Sequence, residues 1–301
     1  MSRRRPRLIV LAVALAAVLG AGVAQAQAAA SRVVALEWDG VESLTLLGVK
    51  PVGAADLAGY DHWVPVRRPG GIEDVGTRQA PSLTRIASLR PDLIVVPDHR
   101  ATSNLSSLRK IAPVLVTHPF PSGGNAAQFN AMIGDFRKLA SAVGKKKQGE
   151  AVVKGLLKSL AVQKAKLKKG KRAGIRITIA APGGSVTSPG LRIFTSNSPN
   201  LEVVRRLGLK NAWTGANQRF GYTTVGVEAL RSVQNGWLAF VYPKEFEGII
   251  NRFTAQDSFT ELQMVKRKRV RKLSGNTWLY GGPGSTRIFA ERLTAALLTK
   301  G

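Results

Sequence analysis

Between Lys145 and Lys169 the chain runs twenty-five residues without a proline, with Val152, Leu156, Leu160 and Leu167 on one face and lysines over much of the rest. Apolar residues at that spacing specify one amphipathic helix. At ~1.5 Å per residue it would reach nearly 40 Å, the size of a whole domain. A helix of that length can tie two lobes together. A second amphipathic helix precedes it, because Phe129, Met132, Ile133, Phe136, Leu139, Ala140 and Val143 recur three and four residues apart before Gly144.

The flanks alternate strand and helix. Upstream, Arg32–Leu36 reads as a short strand, Gly40–Leu47 as a helix behind Asp39 as N-cap, and Lys50–Ala54 as strand. Gly59–Ala80 loses periodicity and gains Pro and Gly, which predicts an irregular, functional segment. Helix at Ser82–Leu89, strand at Asp92–Val96, helix at Leu105–Ile111 and strand at Val114–Thr117 follow. Downstream of Gly170 the alternation restarts with Gly174–Ala181, Asn200–Leu207, Trp237–Tyr242 and a last helix from Ser285 to Leu298. Such βα alternation predicts parallel sheet. The halves also echo each other: residues 82–96 and 226–240 superpose without a gap as helix, turn and strand, and Leu47-Gly-Val-Lys50 is matched by Leu207-Gly-Leu-Lys210. The expected fold is therefore α/β, with two lobes, each a mainly parallel sheet flanked by helices, bridged by one long helix. The boundaries read as 31–144 for the N-terminal lobe, 145–170 for the connector and 171–301 for the C-terminal lobe. A cleft between lobes is the default ligand site.

The N-terminus reads as an address. Arg3, Arg4, Arg5 and Arg7 precede an apolar run from Leu8 to Leu19, and Ala24-Gln25-Ala26 supplies small residues for cleavage, so residues 1–26 are read as a secretory signal peptide. A net charge of +27 with no cysteine narrows the chemistry further. Disulfides, thiol nucleophiles, Cys-ligated zinc and a lipid-bearing cysteine are excluded. His62, His99 and His118 lack metal-site spacing, no Gly-x-Ser-x-Gly elbow occurs, and the Gly clusters at 182–185 and 281–285 lack P-loop spacing and read as turns. The basic runs at 145–147, 164–172 and 266–272 read as solvated faces or loose anionic-surface contacts, with no specific nucleic-acid site. Trp38, Trp63, Phe220, Tyr222, Trp278 and Tyr280 fall at strand ends or loops, where flat rings can wall a cleft. Arg78 and Arg100 fall in loop positions, and a guanidinium there offers bidentate bonds to carboxylate or hydroxamate oxygens.

One family fits these residues. Arg32-Val-Val-Ala-Leu-Glu-Trp38, Leu47-Gly-Val-Lys-Pro-Val-Gly53, Tyr60, Trp63-Val64, Asp74-Val-Gly-Thr-Arg78, Pro81-Ser-Leu83 and Arg90-Pro-Asp-Leu-Ile94 form a specific N-terminal block. With Ile111-Ala-Pro113, Asn197-Ser198, Leu207-Gly-Leu-Lys-Asn-Ala-Trp213 and Trp278-Leu-Tyr280, the block resembles the iron-siderophore substrate-binding proteins of ABC importers, the ferric hydroxamate binders above all. The resemblance implies two lobes on a helical connector, no enzymatic activity and no cofactor, the ligand being a ferric siderophore whose iron the chelator holds. It also implies an ABC permease as partner, a periplasmic location and a monomer. By position, Trp38 and Trp63 resemble cleft aromatics, Arg78 the arginine that grips iron-coordinating oxygens, and Trp278 with Tyr280 a late Trp-x-Tyr, while Phe220 stands where those proteins carry Trp. Arg100 replaces the Tyr of ferrichrome-type binders and is similar to the Arg of relatives that take citrate-based siderophores, so a carboxylate or citrate-hydroxamate chelate is expected. Glu228 fits the C-lobe permease-docking position, and Thr84 stands where the N-lobe acid is usual. The alternatives are haem or a corrinoid on the same fold, with Tyr222 or Tyr280 as axial ligand, and a basic surface protein that binds polyanions.

Overall fold

The computed structural model describes residues 29–184 and 187–299, so the signal segment read from residues 1–26 lies outside them. The first sheet contains β1 (Val33–Ala35), β2 (Gly53–Ala54), β3 (Glu73–Asp74), β4 (Leu93–Pro97) and β5 (Val114–Thr117). Its order is β3-β2-β1-β4-β5, with every pair parallel. β1 and β4 are buried along their whole length, which is why both are uninterrupted apolar runs. The strand order reverses between β1 and β4, and a crevice opens outside the carboxyl ends of strands at such a point.

The second sheet holds β6 (Arg176–Gly184), β7 (Pro189–Phe194), β8 (Lys210–Asn211), β9 (Tyr222–Val225), β10 (Trp237–Tyr242) and β11 (Val270–Ser274). Its order is β11-β10-β6-β7-β9, with β8 beside the start of β6. β10 runs parallel to β6 and β11, whereas β7 is antiparallel to both β6 and β9. The hairpin from β6 to β7 was not foreseen by the βα pattern.

The long helix spans Lys146–Lys169 and buries Gly149, Val153, Leu156, Leu160, Gln163 and Leu167. That four-three alternation places Val153 inward and leaves Val152 half-buried. The helix packs on Ala127–Ala142, Pro199–Arg206 and Pro283–Leu298. At Gly149 a Cβ would lie 2.6 Å from the Ala140 Cβ, so a side chain there would separate the two helices. One apolar cluster runs from Val33 and Val95 through Leu156 and Leu160 to Ile177 and Ala239, so the halves share a core. The alternate strand residues, Val34, Ile94 and Val96 in one sheet and Leu238 and Phe240 in the other, pack in separate outer clusters.

The internal echo is structural. Helix Leu83–Ser88 leads to β4, and the 3₁₀ helix Val227–Val233 leads to β10, at the same spacing. Gly48 and Gly208 (φ 70° and 75°) both end helices in the left-handed region, where the next amide bonds back to Leu44 and Val204 respectively.

Three local expectations are corrected. The first helix is Trp38–Leu46, capped by Glu37 and not Asp39, because Glu37 is extended and its carboxylate accepts from the Trp38 amide. Within 59–80, helix Leu57–Trp63 starts on Asp56, whose carboxylate accepts from the Gly59 amide. The Tyr60 hydroxyl then donates to the Val66 carbonyl at 2.7 Å, and Glu73–Asp74 adds a strand, so this segment is ordered into the sheet. The glycine-rich stretch 281–285 is more than a turn. It opens helix Pro283–Leu298, and the fully buried Glu42 of the first helix accepts there from the Ser285 amide (2.8 Å) and hydroxyl (2.5 Å). One carboxylate thus ties the first lobe to a helix start that needs acceptors.

Candidate functional site

The site is assembled at the carboxyl ends of the strands. β1 runs into Glu37 and Trp38, β4 into the one-turn helix Asp98–Ala101 that carries His99 and Arg100, and the turn after β3 delivers Arg78. These groups converge on Glu37. Arg78 Nη1 donates to Glu37 Oε1 at 2.7 Å, Arg100 Nε donates to the other oxygen, and Arg78 Nε reaches Asp56 Oδ2 at 3.1 Å. Burial works to raise the Glu37 carboxyl, but the two guanidiniums outweigh it and hold it below the usual carboxylate range. Asp39, two residues on, has no such cation beside it among the described residues. Burial first, then the charge of Glu37, pushes its carboxyl up to about 7.

Above this floor lies an aromatic wall. The Arg78 guanidinium stacks 3.4 Å from the centroid of the Trp38 ring, whose Nε1 donates to the Asp56 carbonyl. Trp38 meets Trp278 edge-on at 4.9 Å, and Trp278 meets Trp63 at 5.4 Å and Tyr280 at 5.5 Å. The chain of rings continues through Phe120 to Phe220, 5.1 Å apart. The Tyr280 hydroxyl donates to the Phe220 carbonyl, and burial pushes its phenol up. Since β5 precedes Phe120 while Trp278 and Tyr280 follow β11, the wall crosses from one lobe to the other.

The cavity enclosed by these groups measures about 430 Å³ and is lined by both lobes, with Glu37, Asp39, Arg78, His99 and Arg100 on one side and Arg192, Phe220, Tyr222, Trp278 and Tyr280 on the other. A contiguous space of about 170 Å³ reaches Trp38, Trp63 and Trp278. The larger cavity lies in the size range of small-molecule sites, and the smaller one extends it toward the tryptophans. The structure therefore gathers Trp38, Trp63, Arg78, Arg100, Phe220, Tyr222, Trp278 and Tyr280 around one cleft. Trp38 is almost wholly buried, so it serves as a support under Arg78 and not as an open wall. Glu228 is elsewhere, exposed on the helix before β10, at the place in the internal echo that Thr84 occupies before β4.

Sequence reasoning missed Glu37, Phe120 and Arg192. Glu37 was hidden because it sits in an otherwise apolar run, Val33-Val-Ala-Leu-Glu-Trp38. Arg192 had a usable signal, as the only polar residue in Leu191-Arg-Ile-Phe194. The basic runs stay outside the cleft; Arg172 and Arg271 instead bracket the Trp237 ring at 5.0 and 4.7 Å.

Two α/β sheets on a helical spine, with strand ends facing each other across a cationic, ring-lined cleft, describe a solute-binding protein of two lobes. The chain belongs to the periplasmic binding protein family, whose model matches residues 33–277. It is similar to the Fe(3+) dicitrate-binding periplasmic protein FecB of Escherichia coli (strain K12), 28% identical over 82% of this chain and 78% of that protein. It is also similar to the Iron(3+)-hydroxamate-binding protein FhuD of the same organism, 26% identical over 89% of this chain and 87% of the relative. Among solved structures, the Fe3+-Desferal-bound siderophore-binding protein FhuD from Vibrio cholerae superposes with a TM-score of 0.81 at 29% identity, covering 89% of this chain and 98% of that one. The family and these relatives are binding proteins.

Proposed function

We propose that this protein captures a ferric siderophore between its lobes and delivers it to an ABC importer for iron uptake. The observation that carries this reading is the cleft itself, where Arg78 is held rigidly between Glu37, Asp56 and the Trp38 ring with Trp278 beside it. A fixed guanidinium beside flat rings suits the outer oxygens and apolar arms of an iron chelate. The relatives named for ferric dicitrate and ferric hydroxamates support the same ligand class. Iron arrives coordinated by its chelator, so the protein's part is to hold the chelate's surface. The reading takes 31–144 and 171–301 as the two ligand-gripping lobes and 145–170 as the connector. It also takes the protein as a non-enzymatic, exported monomer that docks on a permease through Glu228. Among the described residues no helix is long and apolar enough to cross a membrane.

As an axial ligand to haem Tyr280 is ill suited, because it is engaged with a carbonyl and its buried phenol resists ionisation, which leaves Tyr222 as the one candidate of the two. The test is tryptophan fluorescence during titration with ferric citrate and ferric hydroxamates. Quenching that saturates at one chelate per chain, and that shrinks in Trp278→Phe, is expected. No quenching and no calorimetric heat across the panel would overturn the reading.

A further inference from the structure

The charges in the cleft are unevenly matched. Arg78 and Arg100 share Glu37, and Arg78 also holds Asp56, so on the first-lobe side two guanidiniums are already paired with two carboxylates, and Asp39 adds a third carboxyl to that wall. A ligand gains little net attraction from a pair that is already neutralised, since it competes with partners in place. The second-lobe side differs. Arg192 projects from β7 opposite Ala181 of β6 and Thr224 of β9, neither of which is acidic. Its guanidinium lies 5.0 Å from the centroid of the Tyr222 ring. It lines both contiguous spaces of the cleft, and among the described residues no hydrogen bond or ion pair engages it.

We propose that Arg192 sets the ligand preference of the cleft, selecting ferric chelates of net negative charge by pairing with a carboxylate that the chelate leaves free. The assignment rests on the siderophore reading and sharpens it. Arg100, the residue that suggested a charged ligand from sequence, is a positioning residue here: it fixes Glu37, which in turn fixes Arg78. The free cation stands across the cleft from it. Tyr222 supports Arg192 from below, so the guanidinium is presented as a flat, oriented donor that a carboxylate can meet with two parallel bonds. Chelates without a free anionic group would use the aromatic wall and Arg78 alone.

Binding of three chelates of graded charge tests this directly: anionic ferric dicitrate, neutral ferrichrome and cationic ferrioxamine B, each titrated calorimetrically into wild type, Arg192→Gln and Arg192→Lys. Arg192→Gln should weaken ferric dicitrate by about tenfold or more, as expected for a lost charge-assisted bond. It should leave ferrichrome within about twofold and spare or improve ferrioxamine B. Arg192→Lys, which keeps the charge, should retain most of the preference. Equal losses for all three chelates in Arg192→Gln, or no loss for ferric dicitrate, overturn the assignment while leaving the siderophore reading intact. Wild-type protein that favours ferrioxamine B over ferric dicitrate does the same. Failure of the wild type to bind any of the three overturns the siderophore reading, and the role of Arg192 falls with it.

Discussion

Replacing Glu37 by glutamine removes one charge while keeping the side chain's size, and the structure says what that charge does. Its side chain is 11% exposed, and those of Arg78 and Arg100 are 14% and 19% exposed, so all three are largely withdrawn from water. At an effective dielectric near 20, each guanidinium–carboxylate contact has a gross attraction of about 4 kcal/mol, offset by desolvation. Removing one partner from a buried pair costs about 3–5 kcal/mol. Glutamine still offers one acceptor to Arg78 or Arg100, which brings the expected loss to about 2–3 kcal/mol. For a chain of this size that lowers Tm by about 3–5 °C. The ligand response should run the other way. With Glu37 neutral, Arg100 loses its carboxylate and Arg78 keeps only Asp56, so one more positive charge faces the cleft, an anionic chelate can offset it, and ferric dicitrate should raise Tm more in Glu37→Gln than in wild type. Differential scanning calorimetry with and without chelate reads both effects. A Tm within about a degree of wild type, with an unchanged response to ferric dicitrate, would show that Glu37 does not neutralise the arginines.

Other positions separate the remaining claims. Glu42→Ala should destabilise by about 2–4 kcal/mol in urea unfolding, because the Ser285 amide and hydroxyl lose their acceptor in a buried setting; Glu42→Gln should cost less, and equal losses would mean that hydrogen bonding is not the cause. The Asp39 carboxyl is raised in the fold to about 7, so the native state holds its proton where the unfolded chain has released it. Its stabilising contribution is therefore complete below about pH 4 and fades as pH rises through about 7, at a slope approaching about 1.4 kcal/mol per pH unit. Asp39→Asn should flatten the stability profile across that window, and a wild-type-like slope would refute the assignment. For delivery, Glu228→Ala should leave chelate affinity unchanged and lower uptake in reconstituted vesicles. Thr84→Glu should raise uptake through a permease with cations at both docking points, more so at low salt; normal uptake in the first with abolished uptake in the second would place docking elsewhere.

The long helix was legible because nothing but a continuous amphipathic pattern fits residues 145–169, and its error was one residue wide, Val152 for Val153. The parallel cores were legible because β1, β4 and β10 are buried on both faces and so cannot carry polar residues. What stayed hidden depends on long-range pairing. β7 and β9 join the second sheet antiparallel, through partners that no local period announces. Glu37 is a weak N-cap by residue type, and only the approach of Arg78 and Arg100, forty-one and sixty-three residues away, makes it a centre of the site. The resemblance carried positions for Arg78 and Arg100 but not their shared carboxylate, so the cleft's charge balance emerged only in three dimensions. Glu42 was silent for the same reason, its partner Ser285 lying at the far end of the chain.

A crystal structure of the protein with bound ferric dicitrate tests the central claim most directly. The account predicts one chelate between the two sheets, with iron coordinated only by citrate oxygens, Trp278 and Tyr280 against its apolar side, Arg78 on its coordinating oxygens and Arg192 on a free carboxylate. A chelate bound outside the interlobe cleft, or iron ligated by a protein side chain after loss of citrate, would contradict it.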